Sequence, residues 1–137
     1  MKKYRYIICI DPGVNTGYAI WDNADKRFIV IDTASIHLVM DVVKKRNGIT
    51  TLVRVEDARK RKWFGNAGRE KLQGVGSIKR DCKIWEDFLI ELGIKFELVA
   101  PKNNKTKLSA DNFNRLTKWD KRTSQHARDA AMLAYGY

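Results

Sequence analysis

The apolar run IICI ends in an aspartate, and Asp11 is followed by Pro12, which restricts φ, and Gly13, which permits a tight turn. A carboxylate held there projects from the edge of a sheet, although the same three residues also make an ordinary Asp-Pro-Gly turn. Glu56 closes a second apolar run in TLVRVEDAR. Side chains alternate along a strand, so Val53 and Val55 face one way and Leu52, Arg54 and Glu56 the other. A strand-end glutamate on its own is a solvated charge; beside Asp11 in a sheet it becomes half of a carboxylate pair. His126 and Asp129 lie three residues apart in QHARDAAMLA and share a helix face. As a surface pair they need no function, and Arg128 is an alternative partner for Asp129. Together, two strand-end carboxylates with an aspartate and an imidazole from a helix suit a pair of divalent cations, the arrangement metal-assisted phosphoryl chemistry requires.

These residues need elements to position them. Tyr4–Ile10 is rich in β-branched and aromatic residues, and Gly17–Trp21 and Arg27–Thr33 follow as strands of an antiparallel meander. Ile36, Val39, Met40 and Val43 recur at helical spacing, and Asn47-Gly48 is a stop. Thr50–Val55 is then a fourth strand, set parallel to an earlier one because a helix leads to it. Ile78, Cys82, Trp85, Phe88, Leu89 and Leu92 form one stripe, which predicts a helix over 78–92 closed by Gly93. Phe96–Ala100 is a fifth strand. Residues 101–122 are polar and basic, after which Thr123 or Ser124 caps a last helix over 125–135, whose alanines suit close packing on the sheet. The expected fold is α/β, a five-stranded mixed sheet of three antiparallel strands then two parallel, flanked by helices. Residues 1–137 are expected to form one domain, for no repeat, linker or low-complexity tract divides them.

The chain carries 27 Lys and Arg against 16 Asp and Glu, a net charge of +11. Ten of those eleven charges come from two stretches. Residues 59–71 hold Arg59, Lys60, Arg61, Lys62, Arg69 and Lys71 against Glu70, interleaved with Trp63 and Phe64, and residues 101–122 hold seven cations, Lys102, Lys105 and Lys107 among them, against Asp111 and Asp120. Both stretches follow strands that end on the proposed carboxylate side. A solvated basic face is the plain alternative, and Trp63-Phe64 is equally suited to a packing anchor. A polyanion remains the simplest partner for such a charge, nucleic acid ahead of an anionic membrane. Lys79 and Arg80, beside the apolar stripe, complete the candidate nucleic-acid contacts. With 44% hydrophobic and 31% charged residues the chain is neither a disordered tail nor a membrane protein. The run Tyr6–Ile10 is too short for a signal peptide, and Asp11 ends it. Cys9 and Cys82 lie in apolar settings without zinc spacing; as reduced core thiols they point to the cytoplasm. His37 and Cys9 carry structural readings only.

In order, IICIDPGVNTGYAIWD, LVRVEDA and QHARDAAMLA resemble the RuvC family of Holliday-junction resolvases, in the ribonuclease H-like superfamily, over nearly the whole chain. The motifs are an Asp-Pro-Gly after strand one, a Glu ending strand four, and a His-x-x-Asp-Ala opening the last helix. The resemblance implies a homodimer that resolves four-way junction DNA by paired metal-dependent cuts in opposed strands. It implies Asp11, Glu56, His126 and Asp129 as catalytic metal ligands, two Mg²⁺ per site with Mn²⁺ as substitute, and no small-molecule cofactor or membrane. Asp11 would bridge the ions. GVGSIKRDCKIWEDFL is similar to the family's dimer-side helix, and Trp63-Phe64 falls where members carry a wedging aromatic. The DPGVNTG turn is one residue shorter than in common bacterial resolvases, as in phage-type or divergent members. Lys102, Lys105 and Lys107 compete for the family's basic residue after strand five. Crowded carboxylates repel without metal and an imidazole must be neutral to ligate, so activity is expected to need divalent cation and to fall at acid pH.

Two other readings stand beside this one. A binding module would recognise branched nucleic acid without cutting, although it has no reason to gather four ligands in so basic a chain; a ribonuclease H-like enzyme would act on structured RNA. An actin-like ATPase, whose phosphate loop also follows a first strand, is excluded because it needs two lobes and far more than 137 residues.

Overall fold

The computed structural model describes residues 4–60, 69–101, 108–135 and 137, with backbone only for 69–75. The elements run β1 (Tyr6–Asp11), β2 (Asn15–Asp22), β3 (Arg27–Ser35), α1 (Ile36–Arg46), β4 (Thr51–Glu56), one 3₁₀ turn (Ala58–Lys60), α2 (Arg69–Glu91), β5 (Phe96–Val99), α3 (Ala110–Thr117) and α4 (Gln125–Ala131). They form a five-stranded sheet in the order β3-β2-β1-β4-β5. The first three strands are antiparallel neighbours, and β4 and β5 run parallel to β1. This is the mixed sheet expected from the sequence.

Alternation along the strands sends apolar residues to both faces, and helices cover each. Ile8, Ile10, Ile20, Val53 and Val55 pack against Val39 and Val43 of α1 and Trp85 and Leu89 of α2. On the other face Ile7, Cys9, Ala19, Trp21 and Leu52 meet Phe113 of α3 and Ala127, Ala130 and Ala131 of α4. These alanines are fully buried, as their small size on a sheet-facing helix demands. Both cysteines are buried free thiols. Among the described residues no helix is long and apolar enough to cross a membrane.

Three helices differ from expectation. Helix α2 begins at Arg69, nine residues before the predicted start. Gly74 and Gly76 weaken a helix by only about 1 kcal/mol each relative to Ala, and the good helix formers before them sustain it. At 23 residues it is about 34 Å long, against about 20 Å for six-residue β4. Cys82, Trp85 and Leu89 of the predicted stripe are fully buried, whereas Ile78 and Leu92, near the limits of the covered span, are 42% and 46% exposed. Helix α3 lies inside the stretch that looked uniformly polar. Ser109 caps it by accepting from the Asn112 amide, and Phe113 is its one fully buried side chain. Helix α4 stops at Ala131, where Leu133 and Ala134 donate to the carbonyls three residues back and tighten the chain out of α geometry.

Candidate active site

Asp11 and Glu56 terminate neighbouring parallel strands. The last register pair between β1 and β4 is Ile10 with Val55, so the two carboxylates follow one residue later on each strand, at the same end. Each shares the parity of residues facing α3 and α4, Cys9 on β1 and Leu52 on β4. The sheet order thus supplies the condition under which a strand-end glutamate stops being a lone surface charge.

Helix α4 reaches this end by docking across one row of the sheet. Asp11 pairs with Gly17, and Gly17 with Thr33. Over that row the His126 Nδ1 meets Asp11 Oδ2 at 3.1 Å, and the Ser124 hydroxyl meets that of Thr33. Between them Gly17 lies so close to the helix that a Cβ built on it would stand 2.1 Å from the His126 carbonyl oxygen. Only glycine allows this approach. Ser124 also caps the helix by accepting from the Ala127 amide. Of the two capping candidates it is Ser124 that serves; Thr123 instead accepts from Arg128.

Asp129 shares the His126 helix face, and its Oδ1 accepts a 2.8 Å bond from the Gln125 side-chain Nε2. The Arg128 guanidinium, the alternative partner read from the sequence, reaches the Leu108 carbonyl at 3.1 Å, the Thr123 carbonyl at 2.7 Å and Gln125 Oε1 at 3.2 Å. It braces the approach to α4 and, through Gln125, the setting of Asp129. At the other end of the helix Arg54 Nη1 donates to the Leu133 carbonyl at 2.6 Å, and Arg54 Nε lies 3.3 Å from Glu97. A cation at the end of α4 also suits the partial negative charge there.

The donor types, carboxylates and an imidazole, suit a hard or borderline divalent ion. Their placement is less closed than the sequence implied. Asp11 and His126 touch, yet among the described residues no three His, Cys, Asp or Glu side chains stand together as a metal site. Asp11 is engaged by His126, and Asp129 by Gln125.

The basic candidates divide. Arg59 grips Asp57 through Nε at 2.8 Å and Nη2 at 2.9 Å and reaches Glu86 through Nη1 at 3.1 Å. Burial opposes ionisation of Asp57, but the bonds and charge of Arg59 prevail and hold its carboxyl below the usual range. Arg59 is thus a structural bridge and not the open cation expected. Lys60 is exposed and donates to the Leu98 carbonyl, while Lys79 and Arg80 lie on the exposed surface of α2, Arg80 3.7 Å from Asp81. Arg69 opens α2. Arg61, Lys62, Trp63, Phe64, Lys102, Lys105 and Lys107 lie outside the described residues. Gly17, Thr33 and Gln125 were not legible as parts of a site. The nearest signal was glycine six residues after Asp11, where a short hairpin returns it beside the carboxylate.

No family profile and no curated protein matches this sequence. Solved structures do match it. One is T. thermophilus RuvC in complex with Holliday junction substrate, with a TM-score of 0.57 at 17% identity over 96% of this chain and 91% of that one. The fold is RuvC-like. In this RuvC-like frame, Asp11 and Glu56 end two neighbouring strands, and α4 sets His126 against Asp11.

Proposed function

We propose that this chain is a structure-specific DNA endonuclease that resolves four-way junctions by paired hydrolysis of phosphodiesters in opposed strands. The observation that carries the reading is the carboxylate pair on adjacent strand ends, with the His126 imidazole set against Asp11 by the docking of α4. Two further points support it. A solved structure of the same fold is a RuvC bound to Holliday junction substrate. Both strongly basic stretches, 59–71 and 101–122, leave the sheet from the C-terminal ends of β4 and β5, the end that bears Asp11 and Glu56. A phosphate backbone drawn to those cations is delivered to the carboxylates.

The ligands we assign are Asp11, Glu56, His126 and Asp129, for two Mg²⁺ or Mn²⁺. The chemistry supplied by divalent ions there is activation of the attacking water and neutralisation of charge on the scissile phosphate. The chain's own part is to hold Asp11 and Glu56 on rigid strands, to present His126 and Asp129 from one face of α4, and to orient the backbone between basic segments. Opposed cuts require two sites, which one domain supplies as a two-fold homodimer. Sedimentation of the junction complex is expected to show two chains per junction; one chain per junction at working concentration contradicts the dimer.

The direct test is cleavage of a labelled four-way junction beside a linear duplex of the same sequence, with Mg²⁺, with Mn²⁺ and with chelator. Symmetric paired nicks on the junction alone, only with metal, are expected. The absence of a gathered three-donor cluster among the described residues favours one second reading, a module that binds branched nucleic acid without cutting. Tight junction binding with no cleavage under either metal would establish that reading, and cleavage of structured RNA in its place would move the substrate class.

A further inference from the structure

We infer that Arg59 is a positioning residue for Glu56, acting through Asp57 and α2; the inference rests on the nuclease reading above. Glu56 is the last residue of β4, where strands fray unless tied. Four contacts tie it. The Asp57 amide donates to the Val99 carbonyl at 2.8 Å, extending the pairing with β5 by one residue. The Cys82 thiol donates to the Glu56 carbonyl at 3.7 Å from α2. Arg59 clasps both oxygens of Asp57, which is only 2% exposed. Its remaining nitrogen joins Glu86, one turn beyond Cys82 on the same face of α2.

Glu56 is therefore held from three directions: its own carbonyl by α2, the next amide by β5, and the next side chain, through a guanidinium, by α2 again. The planar fork matters, because it meets two oxygens and a third acceptor at fixed angles that a lysine cannot reproduce. A cation so engaged against a buried carboxylate is not released to a phosphate. The open positive charge of this stretch begins after Arg59, and its role is to set the carboxylate beside Asp11.

The experiment compares Glu86→Ala, which keeps the Asp57–Arg59 pair and alters a largely shielded but not buried acid, with Arg59→Lys. Amide exchange of Asp57 is measured on the whole chain without metal or DNA, junction affinity in chelator, and single-turnover cleavage at saturating Mg²⁺. Exchange at Asp57 is expected to accelerate about tenfold in Glu86→Ala while β1 amides stay unchanged. Junction affinity is expected to stay within about twofold as cleavage slows by roughly ten- to a hundredfold, since small misplacement of a reacting group has that effect. Arg59→Lys is expected to slow cleavage at least as much as Glu86→Ala, because a lysine cannot bridge Asp57 and Glu86. Unchanged exchange in Glu86→Ala, or wild-type cleavage by that variant, overturns the inference. So does a loss of junction affinity in Arg59→Lys as large as its loss of rate, which would make Arg59 a DNA contact. A wild-type chain that never cuts, with exchange still responding, overturns the nuclease reading and the positioning role with it, and leaves the tether alone standing.

Discussion

Asp11→Asn is expected to reduce junction cleavage by about a thousandfold or more while leaving junction binding within about twofold. The substitution is nearly isosteric and removes only the negative charge. An asparagine oxygen can still meet His126, so the docking of α4 survives, and the basic stretches that carry affinity are untouched. What is lost is a full carboxylate where positive charge must be held against a phosphodiester. A loss of about 4 kcal/mol in the transition state corresponds to that factor. Asp129→Asn is expected to separate binding from cutting in the same way. Gel-shift titration in chelator and single-turnover cleavage in Mg²⁺ measure the two quantities, with thermal unfolding as the check on folding. Substantial nuclease activity in either variant would remove the site from these residues.

Gly17→Ala is expected to be the most damaging single methyl added to the fold. The new Cβ would lie 2.1 Å from the His126 carbonyl oxygen, 2.3 Å from its carbon and 2.9 Å from the Ala127 nitrogen. All three atoms are backbone and none can rotate away, so α4 must lift from the sheet. Lifting it strains the contacts of Ser124 with Thr33 and of His126 with Asp11, and loosens Ala127, Ala130 and Ala131 in the core. Overpacking of this kind costs about 3 kcal/mol, which lowers the melting temperature by roughly 10 °C in a chain this size. Cleavage is expected to fall about a hundredfold through displacement of the helix residues. Gly76→Ala is the matched control: on α2 the added methyl meets nothing within 4 Å, and stability is expected to rise by about 0.5–1 kcal/mol. Thermal unfolding of the two variants gives the comparison. Equal stability of Gly17→Ala and wild type would contradict the close approach of α4.

Several parts of this protein were legible in its order of residues. The Asp-Pro-Gly turn, the alternation in LVRVE and the polar break at 22–26 are local signals, and the meander, the strand ends and the facing of Glu56 follow from them. A cap at Thr123 or Ser124 and the alanines of α4 belong to the same class. The signals that misled were averages over a window. Polar residues around Phe113 concealed α3, because one buried aromatic and a serine cap suffice for two turns. The basic look of 59–71 concealed Arg59, because charge counts do not distinguish a cation facing solvent from one facing Asp57.

By itself the sequence determined which residues end strands, which faces they take and which residue types meet there, since these follow from local backbone geometry and side-chain alternation. The tertiary structure alone decided that β4 lies beside β1, that α4 descends onto Gly17, and that Arg59 turns to Asp57 and Glu86. Each of these joins residues distant along the chain or chooses among partners of equal local merit, and such choices are settled by packing the two faces of the sheet at once.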